Sequence, residues 1–587
     1  MNGTPAALRS ARRSGGPVAE QGWARVAVTV GIVAVLAPLV VSAIAALIDG
    51  PLATVADRAL MELRVRDIGT HPVLVGLYSR DGWSHPGPLV YFTLAIPYRI
   101  VGSTTAGLLV GALLVNGISL AGMALIARRL GGARTALAML VVVSVLVRAL
   151  GAVFIRDPWV CFITVLPFGL FCCIVWALTA GEVWALPLGA FVASWLTQTH
   201  VGYLPLTLPL LGAGGLWLFV SARRWSDRAR FRRVSRAVGI TVVVLAGAWV
   251  LPVWDQIFGS GNLGNTAEWF SRAAEGVHTV REGARVVFGQ FAALPDWVTG
   301  QHRVGLFNRE TLLMSQTLWP VLVLPFVGAS VIAWKRRDHA VVRLAVVTGG
   351  AALVGVVAVA RTVGTMYEYR LLWTWVIGAL GVVVVVATLW NVAADRWPGA
   401  DRILIPIAVV VLAALGVAQI VDVASLSRPD WDSPETATVA RELDRKLDPH
   451  RGVVVLRSES DAGAWDLQGL LLALEQRGFD ARVVRDGVSW VGQHRVVGRE
   501  RIQARLLVLA TTDLAQLRGA VAKRLVAYGG SVPRVEEVAA VRRRAARYAR
   551  LLSDLNAGRI SATEYGREFA QVGTGLRQAV AVVRDVQ

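Results

Sequence analysis

The chain has 587 residues, of which 55% are hydrophobic, and its mean hydropathy of +0.54 excludes a soluble enzyme of this length. The formal net charge is +20, from 60 basic and 40 acidic residues. Most arginine clusters lie in short loops between apolar segments, which is the charge pattern of a multi-pass membrane protein. This distribution argues against a nucleic-acid partner.

Residues 1–22 are a predicted cytoplasmic tail, and apolar segments recur from residue 23 onward. The first segment is too long for the core of a signal peptide, so it predicts a retained membrane anchor. Most segments reach the roughly 20 residues that cross about 30 Å of hydrocarbon. Eleven transmembrane helices are predicted, at residues 23–48, 104–127, 134–154, 158–180, 183–198, 203–221, 237–254, 316–334, 341–360, 371–390 and 402–422.

Two long loops, at residues 49–103 and 255–315, interrupt the predicted helices. The shorter loops carry the arginines, for example Arg128 and Arg129 and the run between residues 222 and 236. Under the positive-inside rule these basic loops face the cytoplasm and the two long loops face outward. Residues 23–424 are therefore predicted to form a module in a bacterial plasma membrane, with the N-terminus in the cytoplasm.

Beyond residue 425 the long apolar segments stop, and shorter strand-like and helix-like runs alternate. This alternation predicts a small α/β domain at residues 425–587, which is extracytoplasmic if the number of spans is odd. No glycine-rich phosphate-binding motif opens a helix there, so the sequence does not support a nucleotide site. The predicted strands are 452–456, 479–484 and 504–510, and the predicted helices are 435–447, 467–477, 513–528 and a helical tail at 542–587.

Three acids at the outer rim of the predicted bundle are candidate catalytic residues: Asp57, Asp67 and Asp157. Carboxylates at the edge of a bilayer are costly unless they do chemistry, bind ions or pair with cations. The alternative is that they pair with nearby arginines, namely Arg58, Arg64 and Arg66. A divalent cation such as Mg²⁺ or Mn²⁺ on Asp57 and Asp157 is a further possibility, since outer-face acids suit these ions.

Arginines at the same rim are candidates for phosphate binding, because the planar guanidinium grips two phosphate oxygens at once. The connection between the ninth and tenth predicted helices also contains two tyrosines and a glutamate. Two histidines lie at the same rim. The alternative for each tyrosine is the aromatic belt of the membrane interface, and for each histidine a structural hydrogen bond. The candidate donor-binding residues are Arg80, His85, Arg156, His200, Arg361, Tyr367, Glu368, Tyr369 and Arg370.

The first external loop carries the most distinctive motifs. They are VADRALMELRVRD around Asp57, YSR ending at Arg80, and HPGPLVYFTLAIPYRIVG from His85. With RRLG from Arg128 and the later Arg-Asp pair ending at Asp157, they resemble the GT-C superfamily of integral-membrane glycosyltransferases over roughly residues 20–220. Within it, the chain is most similar to actinobacterial members near the arabinosyl- and mannosyltransferases of the cell envelope. The Asp-Glu pair common after the first span of that superfamily is Asp57-Arg58 here, which leaves the second carboxylate to Glu62 or Asp67.

The resemblance implies an inverting transfer of a sugar from a polyprenyl-phosphate donor, with Asp57 as the base. The sugar would be a pentose or hexose such as arabinofuranose or mannose, and the acceptor an envelope glycan, glycolipid or protein. The alternatives are a flippase or exporter of lipid-linked sugars and a scaffold of envelope assembly. Transporters often show internal repeats and polar groups at the membrane midplane. Here the halves show no repeat and the polar clusters lie at one rim, which favours transfer.

Overall fold

The computed structural model describes residues 22–585 except 80–81, 225–227, 273–277, 301–319, 364–365, 427, 430, 485–487, 511–521 and most of 531–578. The membrane module is helical. Its helices are α1 (Gly22–Ile48), α2 (Ala56–Asp67), α3 (Leu89–Ile100), α4 (Thr105–Leu150), α5 (Ala152–Arg156), α6 (Val160–Ile163), α7 (Val165–Thr179), α8 (Ala185–Thr199), α9 (Leu204–Arg224), α10 (Arg228–Phe258), α11 (Asn262–Arg272), α12 (Val280–Gly289), α13 (Asp296–Thr299), α14 (Val323–Lys335), α15 (His339–Ala360), α16 (Trp373–Arg396) and α17 (Ala400–Ala424).

Helix α4 is two membrane segments rather than one. Its 46 residues would form a rod of about 69 Å if straight, far more than a bilayer is thick. At Gly132 the backbone leaves the helical region, with φ 75° and ψ −172°. Leu113 before this break and Val147 after it line the same crevice. The two arms therefore run side by side, as expected for the separate segments 104–127 and 134–154.

Each of the eleven apolar segments falls on an apolar helix or on one arm of α4 within the described residues. Among the described residues, eight helical stretches, one of them α6 and α7 together, are both long and apolar enough to span a membrane. Helix α14, with 13 described residues, and α8, with 15, are shorter than a full span. The chain is therefore a multi-pass helical membrane protein, and the count of eleven spans stays a prediction.

The two ends of the helix bundle differ in chemistry. One end, here called the acid-rich face, gathers Asp57, Asp157, His200 and Arg370. At the opposite end, which we call the basic face, arginines of the short loops pair with acids. These pairs are Arg129 with Glu182 at 2.9 Å, Arg134 with Asp401 at 2.6 Å, and Arg336 with Asp395.

The position of these two faces gives a topology test. The start of α10, at residue 230, lies beside the basic loops, and residue 440 lies in the domain that covers the acid-rich face. Reporter fusions at residues 230 and 440 are expected to report opposite compartments, with residue 230 in the cytoplasm, because arginine-rich short loops are retained there. The same compartment for both fusions would contradict an odd number of spans between the N-terminus and the C-terminal domain.

In its described part, the C-terminal domain is a five-stranded sheet flanked by helices. The strand order is β2-β1-β3-β5-β4, with β1 parallel to β2 and β3, and with β5 antiparallel to β3 and β4. Its elements are α18 (Pro434–Lys446), β1 (Val453–Arg457), α19 (Asp461–Glu475), β2 (Ala481–Val483), α20 (Val488–Val491), β3 (Ile502–Leu509), β4 (Leu525–Gly529) and β5 (Val580–Arg584). The predicted α/β class and its first three strands are confirmed.

Two helix expectations in this domain are wrong in part, although described residues between 543 and 554 are helical. The predicted helix 513–528 ends in strand β4, and the predicted helical tail contains β5. Strand β5 lies between β3 and β4, and four of its five residues are buried. A short run of buried valines fits this position, because β-branched side chains pack well on a pleated sheet covered on both sides. Residues 511–521 lie outside the described part of the chain.

The C-terminal domain is fixed to the segment of residues 49–103 both before α2 and in the middle of α2. Just before α2, the backbone N–H of Ser433 donates to the Ala53 carbonyl at 2.9 Å, and Asp432 accepts from the Ala53 N–H at 2.8 Å. In the middle of α2, Gln476 donates to the buried Glu62 at 2.8 Å. The domain therefore helps to set the position of the helix that carries Asp57.

Candidate functional site

The site is built around the first turn of α2. Ala56 has a left-handed backbone with φ 54°, which is unfavourable for a residue with a Cβ. Asp57 follows it, where a carboxylate interacts favourably with the helix dipole. Asp57 is half-buried, and its Oδ2 accepts a hydrogen bond from the indole Nε1 of Trp159 at 2.8 Å. Among the described residues Asp57 forms no ion pair, so its carboxylate is available for chemistry.

Asp157 has a different environment. It is fully buried, and the Arg58 guanidinium donates to its two oxygens at 2.7 to 3.3 Å. The backbone N–H of Trp159 adds a bond of 2.9 Å to Oδ1, and the Arg58 guanidinium lies 4.4 Å from the centre of the Trp159 ring. Trp159 thus binds Asp57 through its side chain and Asp157 through its backbone. The arrangement makes Asp157 a partner of Arg58 that fixes the first turn of α2.

Asp67 lies at the other end of α2, in a cluster with the C-terminal domain. Arg495 donates to both of its oxygens, at 2.7 and 2.8 Å, and Arg64 lies 3.6 Å away. Burial raises the pKa of Asp67, but the close approach of His494 and Arg495 outweighs it and holds the pKa at about 2. Asp67 is therefore ionised at neutral pH and engaged between the two modules.

A small cleft lies next to Trp159. Its space between atoms, counted together with the open solvent at its mouth, is about 170 Å³. Tyr369 connects it to Asp57, because the Tyr369 and Trp159 rings are 4.9 Å apart and Trp159 holds Asp57. The lining residues are Cys161, His200, Tyr203, Tyr369, Arg370 and Trp373. This cleft offers one guanidinium, aromatic faces and phenol groups beside the catalytic candidate.

His85 and His200 lie together at this cleft, with ring centres 4.7 Å apart. Each Nδ1 accepts a backbone hydrogen bond, from Val201 at 3.3 Å and from Gly202 at 3.2 Å respectively. Burial, helped by Arg370, lowers the pKa of His200 to about 3, and burial also holds the pKa of His85 well below its usual value. Both imidazoles are neutral at neutral pH, so the positive charge of the cleft comes from Arg370.

The other predicted donor-binding residues are more dispersed. Arg156 is buried and faces Asp49 at 4.0 Å, and Arg361 is exposed at the end of α15. Tyr367 stacks on Tyr369 with ring centres 5.5 Å apart. Glu368 is buried in the turn that begins with it. Arg80 lies outside the described residues.

The carboxylates of Asp57 and Asp157 do not form a ligand pair for Mg²⁺ or Mn²⁺. The two oxygens of Asp157 already accept four hydrogen bonds, three from Arg58 and one from the Trp159 N–H, and the Trp159 indole donates to Asp57. A cation between them would have to displace a guanidinium that is itself buried.

Trp159 and Arg495 matter more than the sequence indicated. The position of Trp159, two residues after Asp157, was a usable signal in the sequence. Arg495 lies 428 residues from Asp67, and no local pattern announces that pairing. Arg58 was expected as a partner for an acid, and the structure shows that this acid is Asp157.

The fold can be compared with solved structures. A crystal structure of ArnT from Cupriavidus metallidurans in the apo state gives a TM-score of 0.50 and 16% sequence identity, over 86% of this chain and 96% of that chain. This chain shares the fold of ArnT. A crystal structure of ArnT bound to undecaprenyl phosphate gives a TM-score of 0.47 and 14% identity, over 85% of this chain and 95% of that chain. The fold that the sequence resemblance implied is thereby confirmed.

No protein-family model matches this chain, and no curated protein matches it. The fold shared with ArnT extends over most of the chain. One fold can carry many activities, so the function depends on the residues of the acid-rich face rather than on the fold alone.

Proposed function

We propose that the chain is a membrane glycosyltransferase that takes a sugar from a polyprenyl-phosphate donor at the acid-rich face. The observation that carries this proposal is the placement of Asp57. It is the one candidate acid without an arginine partner among the described residues, and Trp159 and Tyr369 connect it to the Arg370 cleft. ArnT, whose apo structure has this fold, has also been crystallised with undecaprenyl phosphate, which supports a lipid of the same class as the carrier.

In the proposed reaction Asp57 accepts the proton of an acceptor hydroxyl, and the hydroxyl oxygen bonds to the anomeric carbon of the donor sugar. The bond between that carbon and the phosphate oxygen breaks on the opposite side, so the anomeric configuration inverts. The polyprenyl phosphate leaves with the electron pair, and Arg370 stabilises its charge. A positioned base and an oriented cation are the two contributions this chemistry requires.

The two other acids have positioning roles in this proposal. Asp157 neutralises Arg58 in a buried pair and so holds the turn that presents Asp57. Asp67 anchors the far end of α2 to the C-terminal domain through Arg495. With both ends of α2 fixed, the Asp57 carboxylate is held in one orientation, which favours a reaction between two bound substrates.

We further propose that the acid-rich face is extracytoplasmic in a bacterial plasma membrane. In this proposal the sugar is a pentose or hexose such as arabinofuranose or mannose, and the acceptor is an envelope glycan, glycolipid or protein. The sequence motifs of the first external loop and the basic loops at the opposite face support this assignment.

The proposal is tested with the purified full chain in lipid vesicles. Polyprenyl-phosphate arabinofuranose and polyprenyl-phosphate mannose are each supplied with an envelope extract as acceptor. Release of free polyprenyl phosphate together with labelled acceptor is the expected result for at least one donor. Movement of the labelled donor between leaflets without release of polyprenyl phosphate would instead identify a flippase. If neither activity is detected, the scaffold alternative is favoured.

Arg370 gives a prediction about donor binding. Arg370→Ala is expected to weaken the apparent donor affinity by about 10–100-fold, since a hydrogen bond to a charged group contributes roughly 1.5–3 kcal/mol. Arg370→Lys should recover part of the loss, because an ammonium keeps the charge but not the planar fork. The KM for the polyprenyl-phosphate sugar measures both effects.

Arg361 provides the matched control for this prediction. It belongs to the same connection between α15 and α16 but is exposed and does not line the cleft. Arg361→Ala should leave the KM for the donor near the wild-type value. Equal KM values in the wild type, Arg370→Ala and Arg361→Ala would show that Arg370 does not bind the donor phosphate, and its cleft would then be an ordinary part of the membrane interface.

A further inference from the structure

A second group of chemically active side chains lies away from the cleft, where α2 meets the C-terminal domain. Asp67, His71 and His494 each offer one ligand atom, and these atoms all lie within 4.8 Å of one another. The His71 and His494 rings stack with centres 3.7 Å apart and an angle of 10° between their planes. The proposed transfer reaction uses none of these groups as a reacting group.

The three residues come from two parts of the chain. Asp67 ends α2, and His71 follows it by four residues in the next turn. His494 lies in a short 3-10 helix of the C-terminal domain, at Gln493–Arg495. Whatever binds all three would join the two modules directly.

The distances suit a small cation. Ligand bonds of 2.0–2.2 Å in a tetrahedral zinc site place neighbouring ligand atoms about 3.3 Å apart. The Nε2 of His494 lies 3.2 Å from Asp67 Oδ1, and the Nδ1 of His71 lies 4.0 Å from the same oxygen. The His71 side chain is exposed, and a rotation of its ring out of the stack with His494 would turn Nδ1 toward the same point.

His494 supplies an independent observation. Its Nε2 is shielded from solvent and, despite the short approach to Asp67, has no partner in hydrogen-bonding geometry among the described residues. Buried polar atoms in native proteins normally find a partner. An ion held between the imidazole nitrogen and the carboxylate would satisfy both.

The surroundings resemble those of a metal ligand set. A ligating carboxylate is usually held by further hydrogen bonds, and Arg495 provides them to Asp67 at 2.7 and 2.8 Å. Glu475 balances the charge of Arg495 from its other side, at 2.5 Å. Each carboxylate oxygen of Asp67 keeps a second lone pair for an ion.

We propose that Asp67, His71 and His494 bind a divalent transition metal of the Zn²⁺ class, with water as the fourth ligand, and that this ion joins the C-terminal domain to α2. Two imidazoles and one carboxylate favour Zn²⁺ over Mg²⁺ or Ca²⁺, which prefer oxygen ligands throughout. The ion would hold the end of the helix whose first turn carries Asp57. It takes no part in the sugar transfer, so its test does not depend on that activity.

The test uses the full chain, purified in detergent without a polyhistidine tag and stripped with a chelator. Zn²⁺ is titrated in competition with a chromophoric chelator, and Co²⁺ is added separately as a spectroscopic substitute. We expect one Zn²⁺ per chain, visible absorption bands of four-coordinate Co²⁺, and a higher thermal unfolding temperature with Zn²⁺ than without it.

His71→Ala is the most informative variant, because the exposed His71 side chain can be removed with little risk to folding. It should weaken Zn²⁺ binding by at least about tenfold, since losing even an indirect partner of a metal ligand costs about 10–100-fold. His494→Ala should do the same, and His450→Ala, which removes an exposed histidine of the same domain, should not. The proposal is overturned if the wild type does not bind stoichiometric Zn²⁺. It is also overturned if Zn²⁺ binding is unchanged in both His71→Ala and His494→Ala.

Discussion

Asp57→Asn is expected to reduce sugar transfer by about 10²–10⁴-fold, the range typical for loss of a general base. Asparagine keeps the size of the side chain and an oxygen that can accept the Trp159 N–H, so the local structure should persist. It cannot take a proton from the acceptor hydroxyl at neutral pH. The measurement is the rate of transfer from a saturating polyprenyl-phosphate sugar, together with the KM for that donor, which should change little.

Asp49→Asn is the matched control for this substitution. Asp49 lies just beyond α1 on the same face, is largely exposed, and faces Arg156 at 4.0 Å. The same chemical change there should leave the rate near the wild-type value. Near-normal transfer by a folded Asp57→Asn protein would rule out Asp57 as the base.

The second large effect concerns the buried pair of Arg58 and Asp157, whose side chains are 6% and 1% exposed. Asp157→Ala is expected to destabilise the protein by about 3–5 kcal/mol, because it leaves the Arg58 guanidinium buried without its counter-charge. Replacing both residues with apolar ones, as in Arg58→Met with Asp157→Leu, should recover much of the loss. Thermal unfolding in detergent measures the stability of the wild type and both variants.

The pair of Arg129 and Glu182 is the contrasting case. It has the same two-point geometry, with bonds of 2.9 and 3.0 Å, but the Arg129 side chain is 58% exposed. Arg129→Ala should therefore change the unfolding temperature far less, since exposed ion pairs contribute little. If Asp157→Ala were no more destabilising than Arg129→Ala, the pair would not fix the turn that presents Asp57.

The membrane module could be predicted well because its signal is local. Runs of about 20 apolar residues are required to cross the hydrocarbon, so α1, α15 and α17 were placed to within two residues at each end. The turn at Gly132 was also marked in the sequence, by the basic residues on both sides of it. The C-terminal strand β5 was missed because helix-like periodicity earlier in the tail masked a short valine run.

The candidate site was only partly predictable, for a different physical reason. Position at one rim identified Asp57, Asp67 and Asp157 as a set, but their roles depend on which arginine each one meets. Those partners lie far away in the chain, 99 residues apart for Arg58 and Asp157 and 428 for Asp67 and Arg495. Tertiary packing decides which residues pair over such separations. The local sequence around each acid therefore does not show whether an arginine from elsewhere in the chain pairs with it.

The most direct test of the proposed catalytic site is an experimental structure of the full chain with undecaprenyl phosphate bound. We expect the phosphate group within hydrogen-bonding distance of Arg370, in the cleft beside Trp159, with the Asp57 carboxylate facing the space that a sugar on that phosphate would occupy. A phosphate group bound at the basic face, or at the acid-rich face without contact to Arg370, would contradict the proposed mechanism.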